Sequence, residues 1–116
     1  MAGGVARGDV RLYRFAVPDK RRPVVVLTRD SAIRYLSTVT VATVTSTIRG
    51  VPSEVLLNEE DGMKGRCAVN LHNAVNLHNA VTVSQQRLGK RVAQLGPRRM
   101  SEICSALRFS LGCEPQ

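Results

Sequence analysis

The sequence predicts a mainly β fold, a small antiparallel barrel or strongly bent sheet followed by one C-terminal helix. Two patterns support this prediction: short runs rich in Val and Thr recur between polar turns, and an apolar stripe at helical spacing occurs only near the end of the chain. The length of 116 residues is that of one domain with a workable core. We divide the chain into a flexible lead (1–7), a single domain (8–113) and a tail (114–116).

Four runs in the first half of the chain have the composition of strands. VRLYRFAV (10–17) mixes apolar and basic residues, and RPVVVLT (22–28) is a continuous β-branched run that suits a strand buried on both faces. STVTVATVTST (37–47) alternates apolar and polar residues. PSEVLLN (52–58) is a further strand, and the polar loop NEEDGMKG ends it.

Helical signals are fewer. SAIRYL (31–36) predicts about one helical turn, with Asp30 or Ser31 as its cap. After a last strand, KRVAQL (90–95), Gly96 breaks the pattern and Pro97 is suited to the first position of a helix. The stripe that defines this helix consists of apolar residues three and four apart, namely Met100, Ile103, Leu107 and Leu111.

The stretch AVNLHNAVNLHNAV (68–81) contains NLHNAV twice in succession. Every odd position from Val69 to Val83 is Val, Leu or Asn, which is a strand pattern of period two. Strands average about five or six residues, so one straight strand is not expected here. We predict that the domain accommodates the extra copy as a bulge or loop. Because six is even, the duplication preserves the alternation of faces, and the sequence leaves open which copy lies in the sheet.

Neither the histidines nor the cysteines form a convincing site. His72 and His78 are the only histidines, and two histidines could act as acid and base, but one duplication produced the pair, so we assign them no joint mechanism. The cysteines are odd in number, and their spacing is not that of a zinc site, so we predict reduced thiols and no metal: Cys67, Cys104 and Cys113.

Charge is the most informative feature of the composition. There are 17 basic and 9 acidic residues, giving a net charge of +8, and most of the basic residues are Arg. Such a field attracts polyanions, and the planar fork of Arg binds phosphate at two points. We therefore predict a nucleic acid or another phosphate-bearing partner. No apolar run approaches the ~18 residues of a membrane span, and MAGGVARG lacks the apolar core of a secretory signal, so we expect a cytoplasmic protein without a membrane partner.

One combination of residues points to chemistry on a phosphate. In KRRPVVVLT the basic residues directly precede a buried strand, so Arg22 would project from a rigid strand end. TVTST ends the following strand with a cluster of hydroxyl groups. An Arg beside hydroxyl donors can hold a phosphate and stabilise the extra negative charge of its transition state.

Several segments, taken in order, resemble the MazF/PemK family of toxin endoribonucleases. They are GDV, RRPVVVLT, TST followed by PSEV, TVSQQRL and the closing SLGC, and they are most similar to mycobacterial or actinobacterial members. The resemblance covers about Gly8 to Cys113 and implies an SH3-like barrel that assembles as a homodimer. It implies the toxin of a type II toxin–antitoxin system that cleaves single-stranded RNA without metal or cofactor, leaving a 2′,3′-cyclic phosphate and a 5′-hydroxyl. It also implies a cognate antitoxin with an acidic, partly disordered tail.

The resemblance also assigns residues. The family's catalytic Arg falls on Arg22, which would stabilise a phosphorane-like transition state, and its catalytic Thr falls on Thr45, which would orient the phosphate. Further residues are candidates for RNA contact: Asp19, Lys20, Arg21, Ser46, Thr47, Arg49, His78, Asn79 and Thr82. If the first copy of the repeat takes the native register, His72 and Asn73 replace His78 and Asn79. Many relatives carry a longer first loop containing Glu. In AVPDK the only acid is Asp19, which leaves the general acid and base open.

Two other functions fit the same barrel. One is a basic module that binds nucleic acid or protein without catalysis, and the other is a gyrase-poison-like toxin related to CcdB. A ribonuclease needs both Arg22 and Thr45, whereas a binding module tolerates loss of the hydroxyl. A gyrase poison would rely on the end of its C-terminal helix, and SLGCEPQ lacks the Trp-Gly-Ile ending of such toxins. The sequence therefore favours the ribonuclease.

Overall fold

The computed structural model describes residues 4–14, 21–71 and 81–111. Within these ranges the strands are β1 (Asp9–Arg14), β2 (Arg21–Val26), β3 (Thr38–Thr45), β4 (Glu54–Leu57), β5 (Cys67–Asn70), β6 (Val81–Ser84) and β7 (Arg91–Gln94). The helices are α1 (Asp30–Ile33) and α2 (Pro97–Leu111), and short 3-10 helices occupy Glu59–Asp61 and Gln85–Arg87. The prediction of a mainly β fold with a C-terminal helix is confirmed.

The strands form one antiparallel sheet in the order β4-β5-β3-β2-β1-β7, and β6 pairs with β3. The sheet curls into a half-barrel with an apolar cluster on each face. The first cluster, which α2 covers, includes Val25, Val44, Val69 and Ile103. The second includes Val24, Val26, Val41 and Leu88. The run RPVVVLT is buried on both faces, as predicted. Val25 packs in the first cluster, Val24 and Val26 pack in the second, and all three are fully buried.

Helix α1 begins differently from the prediction. Its N-cap is Arg29, which makes no side-chain capping bond, and not Asp30 or Ser31. The Asp30 carboxylate instead accepts a hydrogen bond of 2.8 Å from the backbone N–H of Arg7. Asp30 is therefore the first helical residue, and its side chain ties the helix to the N-terminal segment.

Residues 4–7, which we assigned to the lead, contact the rest of the domain. Val5 packs against the second apolar cluster, and the Arg7 carbonyl accepts a hydrogen bond of 3.0 Å from Gln94 Nε2. An Arg7 guanidinium nitrogen lies 3.0 Å from Cys104 Sγ on α2. The packed part of the chain thus begins before Gly8.

A buried carboxylate fixes the start of β1. Asp9 is fully buried, and its Oδ2 accepts hydrogen bonds from the Ala6 backbone N–H at 3.1 Å and from Arg11 Nε at 3.2 Å. An Arg91 guanidinium nitrogen on β7 lies 3.9 Å from Oδ1. Asp9 therefore joins the N-terminal turn, β1 and β7 through one charged group, and burying that charge requires these partners.

Helix α2 starts at Pro97, as predicted, and its buried face is formed by Ile103 and Ala106 with Met100 and Leu107 beside them. Arg99 binds Asp61 at 3.0 Å and Glu102 at 3.0 Å, which connects the helix to the first 3-10 helix. These hydrogen bonds raise the pKa of Arg99. Within the described ranges no helix is long and apolar enough to cross a bilayer.

The repeat separates two strands that pair with the same partner. β5 pairs with the end of β3, with Thr43 opposite Asn70, and β6 pairs with its beginning, with Val41 opposite Val81. Ten residues (71–80) therefore separate Asn70 from Val81 along the chain, whereas the single residue Ala42 separates their partners on β3. The prediction that 69–83 is not one straight strand is confirmed; residues 72–80, with most of both copies, lie outside the described residues.

This register changes which face the odd-numbered residues occupy. The connection from β5 to β6 has nine residues more than the segment of β3 between their partners. Because nine is odd, even-numbered residues of β5 and odd-numbered residues of β6 lie on the same face of the sheet. Cys67 and Val69 of β5 accordingly pack in the first apolar cluster, whereas Val83 of β6 packs in the second. The period-two pattern of the sequence thus does not correspond to one continuous face.

Deleting one NLHNAV copy is expected to leave the domain folded. Because the copies are identical, either deletion gives the same protein. Four residues would then connect Asn70 and Val81, three more than the one residue between their partners on β3, so each strand keeps its present face. Shortening the connection should raise the free energy of unfolding slightly, by less than about 1 kcal/mol. Urea unfolding compares the two proteins, and a loss of cooperative unfolding after the deletion would show that the second copy is required.

Candidate active site

The strand registers, continued past the last paired residues of β2 and β3, align Arg22 with Thr45 on one line across the sheet. Tyr13 of β1 pairs directly with Arg22 of β2. The ladder between β2 and β3 is paired as far as Val24 and Thr43, and continuing its register by two residues sets Arg22 opposite Thr45. Thr45 pairs in turn with Ala68 of β5. Neighbours across antiparallel strands have Cβ atoms about 5 Å apart, so this register can bring the guanidinium and the hydroxyl to one ligand.

The line lies on the face of the second apolar cluster, at its open end. Alternation along β2 puts Arg22 on the same face as Val24 and Val26, both fully buried. The Arg22 side chain itself is exposed, and Thr45 is half-buried. The buried valines hold the backbone of β2, so the guanidinium projects from a fixed position into solvent-accessible space.

The Thr45 hydroxyl is oriented by its own backbone turn. The backbone N–H of Thr47 donates a hydrogen bond of 3.1 Å to Thr45 Oγ1. Because this contact uses the oxygen as an acceptor, the hydroxyl hydrogen can still be donated to an anion. Ser46 and Thr47 are exposed beside it. The turn therefore presents a positioned hydroxyl donor at the end of β3.

A carboxylate folds the loop that follows β3. Glu54 accepts hydrogen bonds from the backbone N–H of Arg49, 3.1 Å from each oxygen, and from the N–H of Gly50 at 2.8 Å. Gly50 has φ +73°, a conformation that favours glycine. These bonds set the path of the loop that carries the exposed Arg49. Sequence analysis missed Glu54, because an acid four residues after a loop glycine matches no recognised motif.

Internal contacts use many of the acidic side chains. Asp9 binds Arg11, Asp61 binds Arg99, and Glu102 binds Arg98 and Arg99. By contrast, no described residue forms an ion pair or side-chain hydrogen bond with the guanidinium of Arg21, Arg22 or Arg49. The positive charge that remains exposed therefore includes the strand end at Arg22 and the loop after Thr45.

The structure places the predicted residues at several locations. Arg22 lies at the start of β2, and Thr45 ends the neighbouring strand β3, with Ser46 and Thr47 directly after it. Arg21 projects from the opposite face of β2 by alternation. Thr82 is exposed and pairs with Thr40, so it lies on the face opposite Thr45, toward the other end of β3. Some candidates lie outside the described residues: Asp19, Lys20, His72, Asn73, His78 and Asn79.

The described thiols and acids do not converge on a site. Cys67 belongs to the first apolar cluster, and burial, with a smaller effect of the negative charge of Asp61, raises the pKa of its thiol. In the parts of the chain that the structure describes, no three His, Cys, Asp or Glu side chains are grouped as metal ligands. At the line of Arg22 and Thr45, the guanidinium and the hydroxyl can both donate hydrogen bonds to a bound anion.

Solved structures of other proteins share this half-barrel with its C-terminal helix. An endoribonuclease of a mycobacterial species, solved in complex with its cognate antitoxin, shares the fold with a TM-score of 0.82 and 23% identity over 97% of this chain and 100% of that one. The Mycobacterium tuberculosis toxin MazF-mt6 gives a TM-score of 0.75 and 25% identity over 90% of this chain and 96% of that one.

Residues 6–111 match the family of PemK-like, MazF-like toxins of type II toxin–antitoxin systems, and the chain belongs to that family. The probable endoribonuclease MazF5 of Mycobacterium tuberculosis (strain H37Rv) is 43% identical over 109 residues, which are 93% of this chain and 94% of that protein. The predicted family, and with it the predicted class of toxin, is confirmed.

Proposed function

We propose that this toxin is an endoribonuclease that cleaves single-stranded RNA at the line of Arg22 and Thr45. The proposal rests on the register between β2 and β3, which pairs Val24 with Thr43; continued by two residues, it sets the exposed guanidinium of Arg22 opposite the oriented hydroxyl of Thr45. Similarity to the probable endoribonuclease MazF5 supports it.

In the proposed reaction the 2′-hydroxyl oxygen of the substrate attacks the adjacent phosphorus, and the bond from phosphorus to the 5′-oxygen breaks. The products are a 2′,3′-cyclic phosphate and a 5′-hydroxyl. Solvent water accepts the proton of the 2′-hydroxyl and returns one to the 5′-oxygen, so the step releases no net proton and consumes no water. The phosphorane carries more negative charge than the phosphodiester, and the Arg22 fork donates to its non-bridging oxygens. Thr45 donates its hydroxyl hydrogen to the same phosphate, and the step requires no metal ion.

The proposal includes an antitoxin and a second copy of the toxin. The mycobacterial endoribonuclease that shares the fold was solved in complex with its cognate antitoxin. An acidic, partly disordered antitoxin tail would complement the net charge of +8, mainly by speeding encounter. For the homodimer, support comes from the groove between β4 and α2, where Leu56 and Phe109 are exposed apolar side chains. We place the system in the cytoplasm, where its RNA substrate is.

Cleavage of a long, unstructured RNA in EDTA, with the new ends mapped, tests the function. We expect discrete cuts at one short sequence, each leaving a 5′-hydroxyl. If the folded protein binds the RNA without cutting it, the basic binding module is the better description. Inhibition of DNA gyrase without RNA cleavage would instead support the gyrase-poison alternative.

Replacing Thr45 with valine removes the hydroxyl and keeps the side-chain shape. We expect cleavage to fall about 10- to 100-fold, because one donor to the developing negative charge is lost. Single-turnover cleavage of a mapped RNA measures the effect. Thr38→Val is the matched control, since Thr38 is an exposed residue at the other end of the same strand, on the other face. Equal cleavage by Thr45→Val and the wild type would remove Thr45 from the mechanism.

A further inference from the structure

A second basic feature lies on the other side of the strand end that carries Arg22. It is a cleft of about 360 Å³ between the end of the β1–β2 pair and the connection from β6 to β7. We call it the basic cleft, and it is lined by Leu12, Arg14, Arg21, Arg87, Gly89 and Lys90. Four of these six residues are cationic, and none of the described lining residues is acidic.

Backbone hydrogen bonds hold the connection from β6 to β7 close to β1 at this cleft. The Gly89 N–H donates to the Leu12 carbonyl at 2.7 Å, and the Leu12 N–H donates to the Lys90 carbonyl at 3.1 Å. A Cβ on Gly89 would lie 3.0 Å from the Leu12 carbonyl oxygen, so the backbone of β1 would have to shift by a few tenths of an ångström to admit a side chain. Glycine therefore allows the approach that brings Arg87 and Lys90 to the same cleft as Arg14 and Arg21.

The basic cleft and the candidate active site share the end of β2. Arg21 pairs with Arg14, and the next residue, Arg22, pairs with Tyr13. Successive side chains of a strand point to opposite faces, so Arg21 faces the cleft and Arg22 faces the line with Thr45. A chain bound at Arg22 that passes over this strand end reaches the cleft within a few residues or nucleotides.

We propose that the basic cleft binds the phosphodiester backbone of the substrate RNA beside the cleavage site. This inference rests on the proposed function. Arginine forks suit phosphate oxygens, and a positive groove that follows the backbone is a common way of holding a single strand. Because the lining offers cations rather than groups for base recognition, the contacts do not depend on sequence and add affinity for long RNA.

An acidic peptide is the other ligand that four cations could attract. The lining favours RNA, because Leu12 is the one apolar side chain among the described lining residues and offers little to recognise the side chains of a peptide. Continuity with Arg22 favours RNA as well, since one nucleic acid chain can occupy both places. The test therefore distinguishes binding of RNA from binding of an acidic peptide.

The test uses Arg87→Gln/Lys90→Gln, which removes two charges at exposed positions outside the catalytic line. The control, Arg34→Gln/Arg98→Gln, removes two exposed charges elsewhere. The probe is a labelled single-stranded 2′-O-methyl RNA of about 20 nucleotides, which lacks the attacking hydroxyl and exceeds the length of such sites. Binding is measured from about 50 to 200 mM salt.

Each phosphate contact on a single strand contributes about 0.7 to the slope of log affinity against log salt, or about fivefold in affinity at 0.1 M salt. We expect the cleft variant to lose about 1.4 from the slope and about 25-fold in affinity at 0.1 M, since it loses two contacts. The control should lose far less. Thermal unfolding checks both proteins, and Arg87→Lys with Lys90→Arg, which keeps both charges, should retain the slope.

Cleavage assays give the second readout. We expect the cleft variant to raise KM for a long RNA without changing kcat, and to cut a short RNA containing only the cleavage motif as the wild type does. An unchanged salt slope would overturn the proposal, and so would retained RNA binding with lost binding of a poly-glutamate peptide. Failure of the wild type to cut any RNA would overturn the proposed function instead, because the salt slope is measured on RNA that cannot be cut.

Discussion

Replacing Arg22 with alanine is expected to reduce cleavage at least about 100-fold while the fold is retained. The guanidinium is the cation at the line with Thr45, and the phosphorane that it would stabilise exists only in the transition state. The side chain is exposed and projects from a strand whose buried valines hold the fold. The midpoint of thermal unfolding should therefore change by no more than about 3 °C. Single-turnover cleavage of a mapped RNA measures the loss.

Two neighbouring substitutions act as controls for Arg22→Ala. Arg22→Lys keeps the charge and loses the fork, so we expect an intermediate rate. Arg21→Ala removes the same side chain from the adjacent position on the other face of β2, and it should weaken RNA binding more than it slows the bound substrate's reaction. Wild-type cleavage by Arg22→Ala would refute the assignment of the site.

Replacing Asp9 with alanine is expected to lower the free energy of unfolding by about 3–5 kcal/mol. The carboxylate is fully buried, and its removal takes the 3.2 Å counter-charge from Arg11, which is only 11% exposed and keeps its hydrogen bonds to the carbonyls of Gly4 and Gly89. It also removes the acceptor for the Ala6 N–H in the turn before β1. Urea unfolding measures the change.

The same experiment on Asp30 separates burial from the simple loss of a hydrogen bond. Asp30 also accepts a backbone N–H bond from the N-terminal segment, but at an exposed position. Asp30→Ala should therefore cost less than about 1 kcal/mol, since water replaces the lost partner. If Asp9→Ala cost no more than Asp30→Ala, the buried ion pair would not be what fixes β1.

The parts of the fold that the sequence predicts are those with a strong local pattern. Three consecutive valines after Pro23 must be buried on both faces if they form a strand, and they are. Pro97 and the apolar spacing from Met100 onward similarly specify the beginning and the buried face of α2. In both segments, tertiary contacts agree with the local preference.

The sequence-based predictions are wrong where a residue distant in the sequence determines the local structure. The Arg7 backbone N–H captures the carboxylate of Asp30, so this residue does not cap α1. In the repeat region, the pairing of β5 and β6 with β3 decides which face each odd-numbered residue occupies. The alternation of residue types along the sequence does not predict that pairing.

The candidate site shows the same division. Arg22 and Thr45 are recognisable by residue type and neighbouring sequence, and the resemblance to a family assigns them. The alignment of Arg22 with Tyr13 and Thr45 depends on the registers of two strand pairs. The basic cleft combines side chains separated by more than sixty positions in the sequence, and a backbone contact at Gly89 brings them together.

The central claim is that the substrate's own 2′-hydroxyl attacks a phosphate held by Arg22 and Thr45. The most direct test is an RNA that contains two mapped cleavage motifs, with a single 2′-deoxynucleotide on the 5′ side of one scissile bond. We predict that the deoxy bond remains intact while the other is cut to a cyclic phosphate and a 5′-hydroxyl. Cleavage at the deoxy bond would contradict the mechanism, because another nucleophile would have to attack that phosphate.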